Sequence, residues 1–263
     1  MGVVNVTPDS FSDGGCFLDS GRAIEHARQL AEQGADILDI GGESTRPGAQ
    51  PVPAEEELAR VLPVLRGLRD LDVPVSVDTL KPKVMRAVLD EGAAMINDVT
   101  ALQAPGALEA VQDSACGLCL MHMRGEPRTM QLAPHYRDVV AEVKAFLAER
   151  LRACEAAGVL RERLVVDPGF GFGKSARHNL ALLRALREFG DLGVPVLAGL
   201  SRKTTLGKIT GRAVEDRVAA SVAAAVLAAE RGAAIVRVHD VAATRDALLV
   251  LRAVIDEEFE PGP

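Results

Sequence analysis

The sequence contains few of the residue types that define several broad classes of protein. Among its 263 residues there is no tryptophan, one tyrosine and seven phenylalanines, and the net charge is −7. Nucleic-acid-binding surfaces combine basic patches with aromatic rings that stack on bases, so this composition argues against a nucleic-acid partner. The longest uncharged run, residues 218–229, is shorter than the roughly 20 apolar residues that span a bilayer. We therefore predict neither a nucleic-acid nor a membrane partner.

Cysteine is also scarce, and its spacing does not indicate a disulfide framework. The four cysteines are Cys16, Cys116, Cys119 and Cys154. Cys116 and Cys119 have the spacing of a metal or redox motif, but their apolar run is typical of a strand, where positions three apart face opposite sides. We predict structural cysteines in a reducing compartment. Because the chain shows no leader pattern at its start, we expect a cytoplasmic protein.

Short apolar runs that end in a polar residue or glycine alternate with amphipathic stretches along the whole chain. The runs, each predicted as a strand, end at Asn5, Gly41, Asp78, Asp98, His122, Asp167, Gly199 and His239. The stretches, each predicted as a helix, are Ser20–Gln33, Ala54–Asp70, Lys81–Glu91, Gly106–Gln112, Tyr136–Ala157, Ala176–Phe189, Val214–Arg231 and Val241–Glu258. Parallel strands joined by helices form a doubly wound sheet or a closed barrel, and eight units in about 250 residues favour the barrel. We predict a single α/β domain over residues 1–263, a (β/α)8 TIM barrel.

Candidate site residues lie where these predicted strands end. In (β/α)8 barrels the C-terminal ends of the strands form the active site. The candidates at these ends and in the adjoining loops are Asn5, Thr45, Arg46, Asp78, Asn97, Asp167, Lys203, Arg237 and His239. Each alone has a structural explanation, because Asp78 suits a helix N-cap and Asp167-Pro168 suits a turn. Their repetition at the same end of different strands favours a shared site.

The residue types at these strand ends indicate three kinds of binding. Two carboxylates and an asparagine match the edge of a heterocycle that carries guanidine-like N–H groups. Arg46, Arg237 and His239 offer a cationic pocket for an anion such as pyrophosphate. Asn5 is a hard oxygen ligand that suits Mg²⁺. Together the three features predict transfer of a group from a pyrophosphate ester.

A glycine-rich loop follows the sixth predicted strand. Gly173-Lys-Ser175 resembles the end of a phosphate-binding loop, but the glycine required five positions earlier is replaced by Pro168, so the match fails. We interpret the glycines as a flexible loop. Phe170 and Phe172 lie in this loop, and we expect one of them to contact an aromatic ligand, because ligand pockets are rich in aromatic side chains. Packing under the loop is the alternative.

Eight segments carry a resemblance to one enzyme family over nearly the whole chain. They are Asn5–Gly14, Gly41–Gly48, Val77–Thr79, Ile96–Asp98, Met121–Met123, Asp167–Lys174, Gly199–Lys203 and Arg237–Asp240. The chain resembles the dihydropteroate synthases. The resemblance implies a transferase of folate biosynthesis with Mg²⁺ as cofactor. It would join 4-aminobenzoate to (7,8-dihydropterin-6-yl)methyl diphosphate by an SN1-like substitution and release pyrophosphate.

The resemblance also implies a role for each candidate residue. Asn5 would bind the metal, and the pterin would be held by Asp78, Asn97, Asp167 and Lys203. The diphosphate would be held by Thr45, Arg46, Arg237 and His239, with Arg237 also lying against the pterin ring. The aminobenzoate pocket would contain Phe11, Pro47, Phe172 and Thr204. Catalysis would fall to Asp167, Lys203, Arg237 and His239.

Three other functions compete with this one. A pterin-dependent methyltransferase shares the barrel and the pterin contacts but has no need of the Asn5–Asp9 or Ser201–Lys203 segments. A catalytically silent pterin-binding paralogue would be expected to lose loop residues such as Phe11 or Arg46, and this chain keeps them. An unrelated phosphate-binding barrel enzyme would not share the combined motifs.

Two departures from the family and one surface feature complete the sequence-based expectations. Position 204 is threonine where many relatives have serine, which implies a more crowded end of the aminobenzoate pocket. Relatives also carry residues before the first strand, so we expect the natural chain to start upstream of Met1, which leaves closure of the barrel bottom open.

The predicted helix Val214–Arg231 is apolar around nearly its whole circumference, which favours a homodimer. Alanine filling exposed helix positions is the alternative.

Overall fold

The computed structural model describes residues 1–6, 16–44, 48–126 and 129–256 of the chain. Within these residues there are eight parallel strands: β1 (Gly2–Asn5), β2 (Leu38–Gly41), β3 (Val75–Asp78), β4 (Met95–Asp98), β5 (Gly117–Met121), β6 (Leu164–Asp167), β7 (Leu197–Ala198) and β8 (Ile235–Val236). Every apolar run interpreted as a strand contains one of them. Most positions of these runs are apolar because parallel strands in such folds are covered on both faces.

The eight strands close into a barrel. β1 to β6 pair in chain order, and β7 pairs with β8. Single parallel bridges complete the circle, Val166 to Val196 between β6 and the start of β7, and Gly2 to Val238 between β1 and the end of β8. The N–H of Val238 donates to the carbonyl oxygen of Met1 over 2.9 Å. The predicted (β/α)8 barrel is confirmed, and its ring of strands is closed within the described residues.

Nine α-helices are present in the described part of the chain: α1 (Cys16–Glu32), α2 (Ala54–Gly67), α3 (Pro82–Asp90), α4 (Ala107–Val111), α5 (Val139–Ala156), α6 (Ala176–Arg184), α7 (Thr204–Thr210), α8 (Val218–Glu230) and α9 (Val241–Asp256). All eight predicted stretches contain a helix, and α7 is an additional short one. None of these helices is both long and apolar enough to cross a membrane.

Two helix boundaries differ from the prediction for visible reasons. α5 begins at Val139 because the carboxylate of Asp138 accepts hydrogen bonds from two backbone N–H groups of the first turn, as N-cap residues do. The first part of the predicted helix Ala176–Phe189 forms α6. The chain then continues as a 3-10 helix over Leu186–Leu192. Its buried residues recur every third position, which matches the three residues per turn of a 3-10 helix.

The core has two layers of unequal size. The larger layer fills the space between the strands and the surrounding helices and contains Cys116, Cys154 and Val238. A small separate cluster is formed by Met1, Met95, Cys119 and Leu197, and it lies inside the barrel, because side chains alternate between the two faces of a strand. Cys116, directly before β5, and Cys119 within it thus face opposite sides of the barrel wall, and both are buried free thiols. The prediction of structural cysteines is confirmed for them.

Candidate active site

The register of the strands brings polar side chains together at the C-terminal mouth of the barrel. Asn5 pairs with Gly41, Gly41 with Asp78, and Asp78 with Asn97, so these positions of β1 to β4 lie at one level. The other strands add polar residues at or just after their C-terminal ends. The predicted site residues that the structure places at this mouth are Asn5, Asp78, Asn97, Asp167, Lys203, Arg237 and His239.

Arg237 is the centre of a buried charge network. Its Nε donates to Oδ2 of Asp39 over 2.5 Å, and its Nη2 donates to Oδ2 of Asp78 over 3.2 Å. The side-chain amide of Asn97 donates to the same Asp39 oxygen over 3.3 Å. Burial lowers the pKa of Arg237, but the Asp39 and Asp78 carboxylates outweigh burial and raise this pKa above its usual value. The guanidinium therefore stays charged and links β2, β3 and the end of β8.

Several other ionisable groups at the mouth have strongly shifted pKa values. Burial raises the pKa of Asp78 to about 7; the Arg237 guanidinium opposes this shift, and the Asp39 carboxylate adds to it. Burial lowers the pKa of Lys203 to about 8, against the attraction of the Asp167 carboxylate. Burial also raises the pKa of Asp167. Shifts of this kind are concentrated at functional sites.

The loop between β6 and α6 is fixed through its main chain. Each of the five carbonyl groups of residues 169–173 accepts a hydrogen bond from a side chain. In order along the loop, the donors are Nζ of Lys174, Nζ of Lys203, Nε2 of Gln131, Nζ of Lys174 again and the hydroxyl of Tyr136. The prediction of a flexible loop is wrong, because the whole segment is bonded to its surroundings.

The glycines of this loop are required by geometry rather than by mobility. Gly169 and Gly173 have φ values of +69° and +64°, which glycine adopts without strain. A Cβ on Gly169 would collide with the carbonyl oxygen of His122, and one on Gly173 would collide with that of Arg124. The loop therefore packs backbone to backbone against the segment that follows β5.

Lys174 holds this contact from inside. Its side chain is 2% exposed, and its Nζ lies 2.8 Å from Nδ1 of His122 and 3.2 Å from the His122 carbonyl oxygen. Burial lowers the pKa of Lys174 well below its usual value. Burial, with the nearby Lys174 charge, lowers the pKa of His122 to about 3. Because the ammonium is committed to these contacts, the likeness of Gly173-Lys-Ser175 to a phosphate-binding loop has no functional counterpart.

The two phenylalanines of the loop have different environments. Phe170 is 1% exposed and belongs to the main core, so it packs under the loop. Phe172 is half-buried at the mouth, and Nζ of Lys203 lies 4.9 Å from its ring centre. Phe172 is thus the one of the pair that a ligand at the mouth can reach.

The end of β8 is tied to the segment after β7. Val238 belongs to the core, so its neighbours Arg237 and His239 point to the opposite, inner side, as predicted. Nδ1 of His239 lies 3.0 Å from Oγ of Ser201, and the His239 N–H donates to that oxygen over 3.2 Å. These contacts place the imidazole beside the start of the segment that leads to Lys203.

The segment after β7 then presents the remaining described candidates. Arg202 has a φ of +57° and forms an ion pair with Asp240, with Nη2 2.5 Å from Oδ1. Lys203 follows as the residue that precedes α7, and Thr204 is the exposed first residue of that helix. The Arg202–Asp240 pair thus fixes the backbone next to two predicted binding residues.

Asn5 suits a metal that is shared with a substrate. It is half-buried at the end of β1, and Gly41 beside it carries no side chain; a Cβ there would lie 3.9 Å from Oδ1 of Asn5. Among the residues that the structure describes, no group of three or more His, Cys, Asp and Glu side chains could hold a metal ion. Mg²⁺ commonly takes one or two protein oxygens and completes its shell with water and substrate phosphates. Asn5 fits that arrangement.

Four predicted site residues lie outside the described residues: Phe11, Thr45, Arg46 and Pro47. The described backbone that leads into positions 45–47 is anchored to the barrel. Nζ of Lys81 binds the carboxylates of both Glu43 and Glu57, and Nη1 of Arg60 donates to the carbonyl oxygen of Gly42 over 2.7 Å.

Two residues with clear roles at the mouth were not among the predicted site residues, Asp39 and Lys174. Asp39 lies two residues before the end of β2 and is fully buried. The signal was present in the sequence, because a charged residue inside an otherwise apolar parallel strand requires a partner. Lys174 was set aside together with the failed phosphate-loop motif.

Comparison with known proteins agrees with this geometry. The family model described as pterin binding enzyme matches residues 1–239. The dihydropteroate synthase of Escherichia coli strain K12 is 49% identical over 256 residues, which cover 97% of this chain and 91% of that protein. The chain belongs to the dihydropteroate synthase family. It is accordingly a transferase of folate biosynthesis, as the resemblance implied.

Solved structures of dihydropteroate synthases share the whole fold. The Xanthomonas albilineans enzyme with 4-aminobenzoic acid is 60% identical and superposes with a TM-score of 0.92 over 97% of this chain and 92% of that one. The same enzyme in complex with 7,8-dihydropteroate gives a TM-score of 0.88 at 56% identity, with the same coverage. The single barrel of this chain is thus the architecture of the dihydropteroate synthases.

Proposed function

We propose that this protein joins (7,8-dihydropterin-6-yl)methyl diphosphate to 4-aminobenzoate, giving 7,8-dihydropteroate and pyrophosphate. The observation that carries the proposal is the convergence of charged and amide groups at one barrel mouth: Asp78, Asn97 and Asp167 are buried there, and Lys203 and Arg237 are half-buried. The similar structures that hold 4-aminobenzoic acid and 7,8-dihydropteroate support it. A pterin-dependent methyltransferase is disfavoured, because the similar proteins named above are all dihydropteroate synthases.

The pterin is held by donors and acceptors of complementary kind. Asp78 and Asp167 accept from the N–H groups of the ring, and the amide of Asn97 both accepts and donates. The side-chain oxygen of Asn97 is buried and has no hydrogen-bond partner among the described atoms. An acceptor left in that state costs free energy unless a ligand satisfies it. Lys203 donates to a ring acceptor, and its ammonium already lies at the edge of the pocket.

The diphosphate is bound as the leaving group by cationic side chains. Arg237 and His239 on the inner face of β8, with Thr45 and Arg46 from the loop after β2, stabilise the charge that grows on pyrophosphate as the C–O bond breaks. Asn5 holds Mg²⁺, which supplies further neutralisation of the diphosphate when bound. Thr45 and Arg46 lie outside the described residues and enter from their place in the sequence and from the resemblance.

The substitution follows an SN1-like course. The bond between the pterin methylene carbon and the diphosphate oxygen breaks first, and the electron pair leaves with pyrophosphate. The carboxylate of Asp167 and the electron-rich pterin stabilise the cation that remains. The amine of 4-aminobenzoate then forms the new C–N bond from a pocket made of Phe11, Pro47, Phe172 and Thr204. Its displaced proton goes to pyrophosphate, so no protein group is needed as a general base.

A homodimer in the cytoplasm completes the proposal. α9 exposes large apolar side chains, among them Val250 at 66% and Val254 at 73%, one helical turn apart. Leu227 of α8 is 43% exposed. The inner stripe of α8 packs on the barrel through small residues, so the alanines there serve the core, and the exposed apolar surface is mainly on α9. A second copy of the chain is the occupant that would bury it.

The function is tested by turnover of the two substrates with Mg²⁺, following both pyrophosphate and 7,8-dihydropteroate. Equal amounts of the two products are expected. Pterin binding without either product would indicate the silent paralogue. Consumption of the diphosphate without dihydropteroate would indicate another transfer reaction. Glu149→Gln on α5, away from the mouth, serves as the unaltered control.

A further inference from the structure

Asp39 is a fully buried charge that lies below the substrate-binding level of the barrel. It is 0% exposed and lies two residues before the C-terminal end of β2. A buried carboxylate is unfavourable unless hydrogen bonds and an opposite charge compensate it. The residues that compensate the Asp39 carboxylate therefore indicate its role.

Both partners of Asp39 belong to the substrate pocket. Its Oδ2 accepts from Nε of Arg237 over 2.5 Å and from the amide of Asn97 over 3.3 Å. Its Oδ1 is buried and has no hydrogen-bond partner among the described atoms. The Asp39 carboxylate thus contacts two pocket residues from below. Arg237 directly follows β8 and Asn97 lies on β4, so the two residues come from opposite sides of β2.

The contact with Nε has a geometric consequence. A guanidinium is planar, so fixing Nε fixes the plane in which both Nη groups lie. Nη2 of Arg237 in turn meets Asp78 at 3.2 Å. Because Asp39 holds Nε, the guanidinium can adopt few orientations. This restriction lowers the entropic cost of directing the guanidinium at a developing charge.

We propose that Asp39 is a positioning residue that orients Arg237 for departure of the pyrophosphate. Asp39 acts through Arg237 and does not touch the substrates. This inference rests on the proposed function, in which Arg237 stabilises the leaving group. The competing role is purely structural, in which the Asp39–Arg237 pair only joins β2 to β8.

The two roles predict different results for a double-mutant cycle. If Asp39 acts through Arg237, Asp39→Asn slows single-turnover pyrophosphate release about tenfold to a hundredfold, and it causes no further loss when Arg237 is already alanine. KM for 4-aminobenzoate stays unchanged, because that pocket is not contacted. A normal rate for Asp39→Asn, or losses that multiply in the double variant, would overturn the proposal.

A neighbouring residue provides the matched control. Ser76 pairs with Asp39 across β2 and β3, is 0% exposed, and its hydroxyl has no partner among the described atoms. Ser76→Ala should therefore match the wild-type rate. If wild type and Ser76→Ala both produce dihydropteroate, a normal Asp39→Asn rate refutes only the positioning role. No product from wild type would refute the proposed function itself.

A measurement on the wild-type protein covers the case in which Asp39→Asn does not fold. The ¹⁵N resonance of Arg237 Nε is identified by its absence in Arg237→Lys. Its proton should exchange with solvent much more slowly than that of the exposed Arg177, since a buried carboxylate holds it. Exchange as fast as that of Arg177 would show that Nε is not held, and the proposal would fail.

Discussion

The ammonium of Lys203 lies 4.9 Å from the centre of the Phe172 ring, and it also donates to the carbonyl oxygen of Phe170. A cation at this distance from an aromatic face is attracted to it. The loop after β6 and the segment after β7 therefore meet at one lysine, between the residues proposed for the pterin and those proposed for 4-aminobenzoate.

Phe172→Ala should weaken 4-aminobenzoate binding and leave pterin binding nearly unchanged. Loss of the ring removes apolar surface worth about 1–2 kcal/mol, which corresponds to roughly a fivefold to thirtyfold higher KM for 4-aminobenzoate. Steady-state kinetics with each substrate varied in turn measures this. Leu180→Ala, at an exposed position on α6, is the control. An equal increase in both KM values would argue against the assignment of Phe172 to the aminobenzoate pocket.

Asp167→Asn should lower the affinity for the pterin. The substitution removes a charged acceptor, which is worth about 1.5–3 kcal/mol. Calorimetry with a pterin ligand measures the change, and Asp113→Asn on the exposed surface is the control. Because Asp167 also accepts from the Gly169 N–H over 2.7 Å, the melting temperature must be compared in parallel. Unchanged affinity in a stable variant would remove Asp167 from the pterin site.

Pterin affinity should be greatest between about pH 7 and pH 8. The pKa of Asp78 is about 7, so below this pH the group is protonated and loses its strength as an acceptor. The pKa of Lys203 is about 8, so above this pH the ammonium loses its charge. Affinity measured from pH 6 to pH 9 should therefore fall on both sides. In Asp78→Asn the fall in affinity below pH 7 should disappear, and in Lys203→Met the fall above pH 8 should disappear. A fall that persists in the corresponding variant would contradict the assignment.

Arg237→Ala should slow the bond-breaking step by around 10²–10³-fold, since a donor aimed at developing charge is worth about 2.7–4 kcal/mol in comparable sites. His239→Ala should have a smaller effect, because a neutral imidazole donates one N–H. Single-turnover pyrophosphate release at saturating substrates measures both. A normal rate in Arg237→Ala would mean that the leaving group is bound elsewhere.

The protein should be a dimer in solution at micromolar concentration. The chain mass is 27.8 kDa, so light scattering should return about twice that value. Val250→Glu and Val254→Glu, which place charges on the exposed face of α9, should shift the mass toward the monomer. Glu149→Gln is the control, as it lies at an exposed position of a different helix, α5. A monomeric wild-type protein would leave the apolar surface of α9 without the proposed partner.

The sequence alone was sufficient for the architecture and for most of the described mouth. Parallel strands buried on both faces produce largely apolar runs, so the strands that end at Asp78 and Asp167 were recognisable. Strand ends of a barrel meet at one edge, so their polar residues could be grouped without coordinates. The unit count then favoured a barrel over an open sheet.

What the sequence did not reveal depends on contacts between distant segments. Asp39 forms its ion pair with a residue 198 positions away, and no local pattern encodes that pairing. The loop at 169–173 was interpreted as flexible, because glycine content alone does not distinguish freedom from close packing. Besides the adjacent Lys174, the side chains that bond this loop are those of Lys203, Gln131 and Tyr136, which lie 33 to 40 positions away from the carbonyl groups they contact.

The fully bonded carbonyl groups of residues 169–173 also bear on how this pocket can change in evolution. The shape of this loop, one wall of the pocket, is set by its main chain. Exchange of a neighbouring side chain for a similar one therefore does not change that shape. Substitution of its glycines meets strain and collision, so gradual drift there is restricted. Ligands that rest on this wall should therefore meet the same surface in many sequence variants. Ligands that depend on contacts made by side chains elsewhere lose them one point mutation at a time.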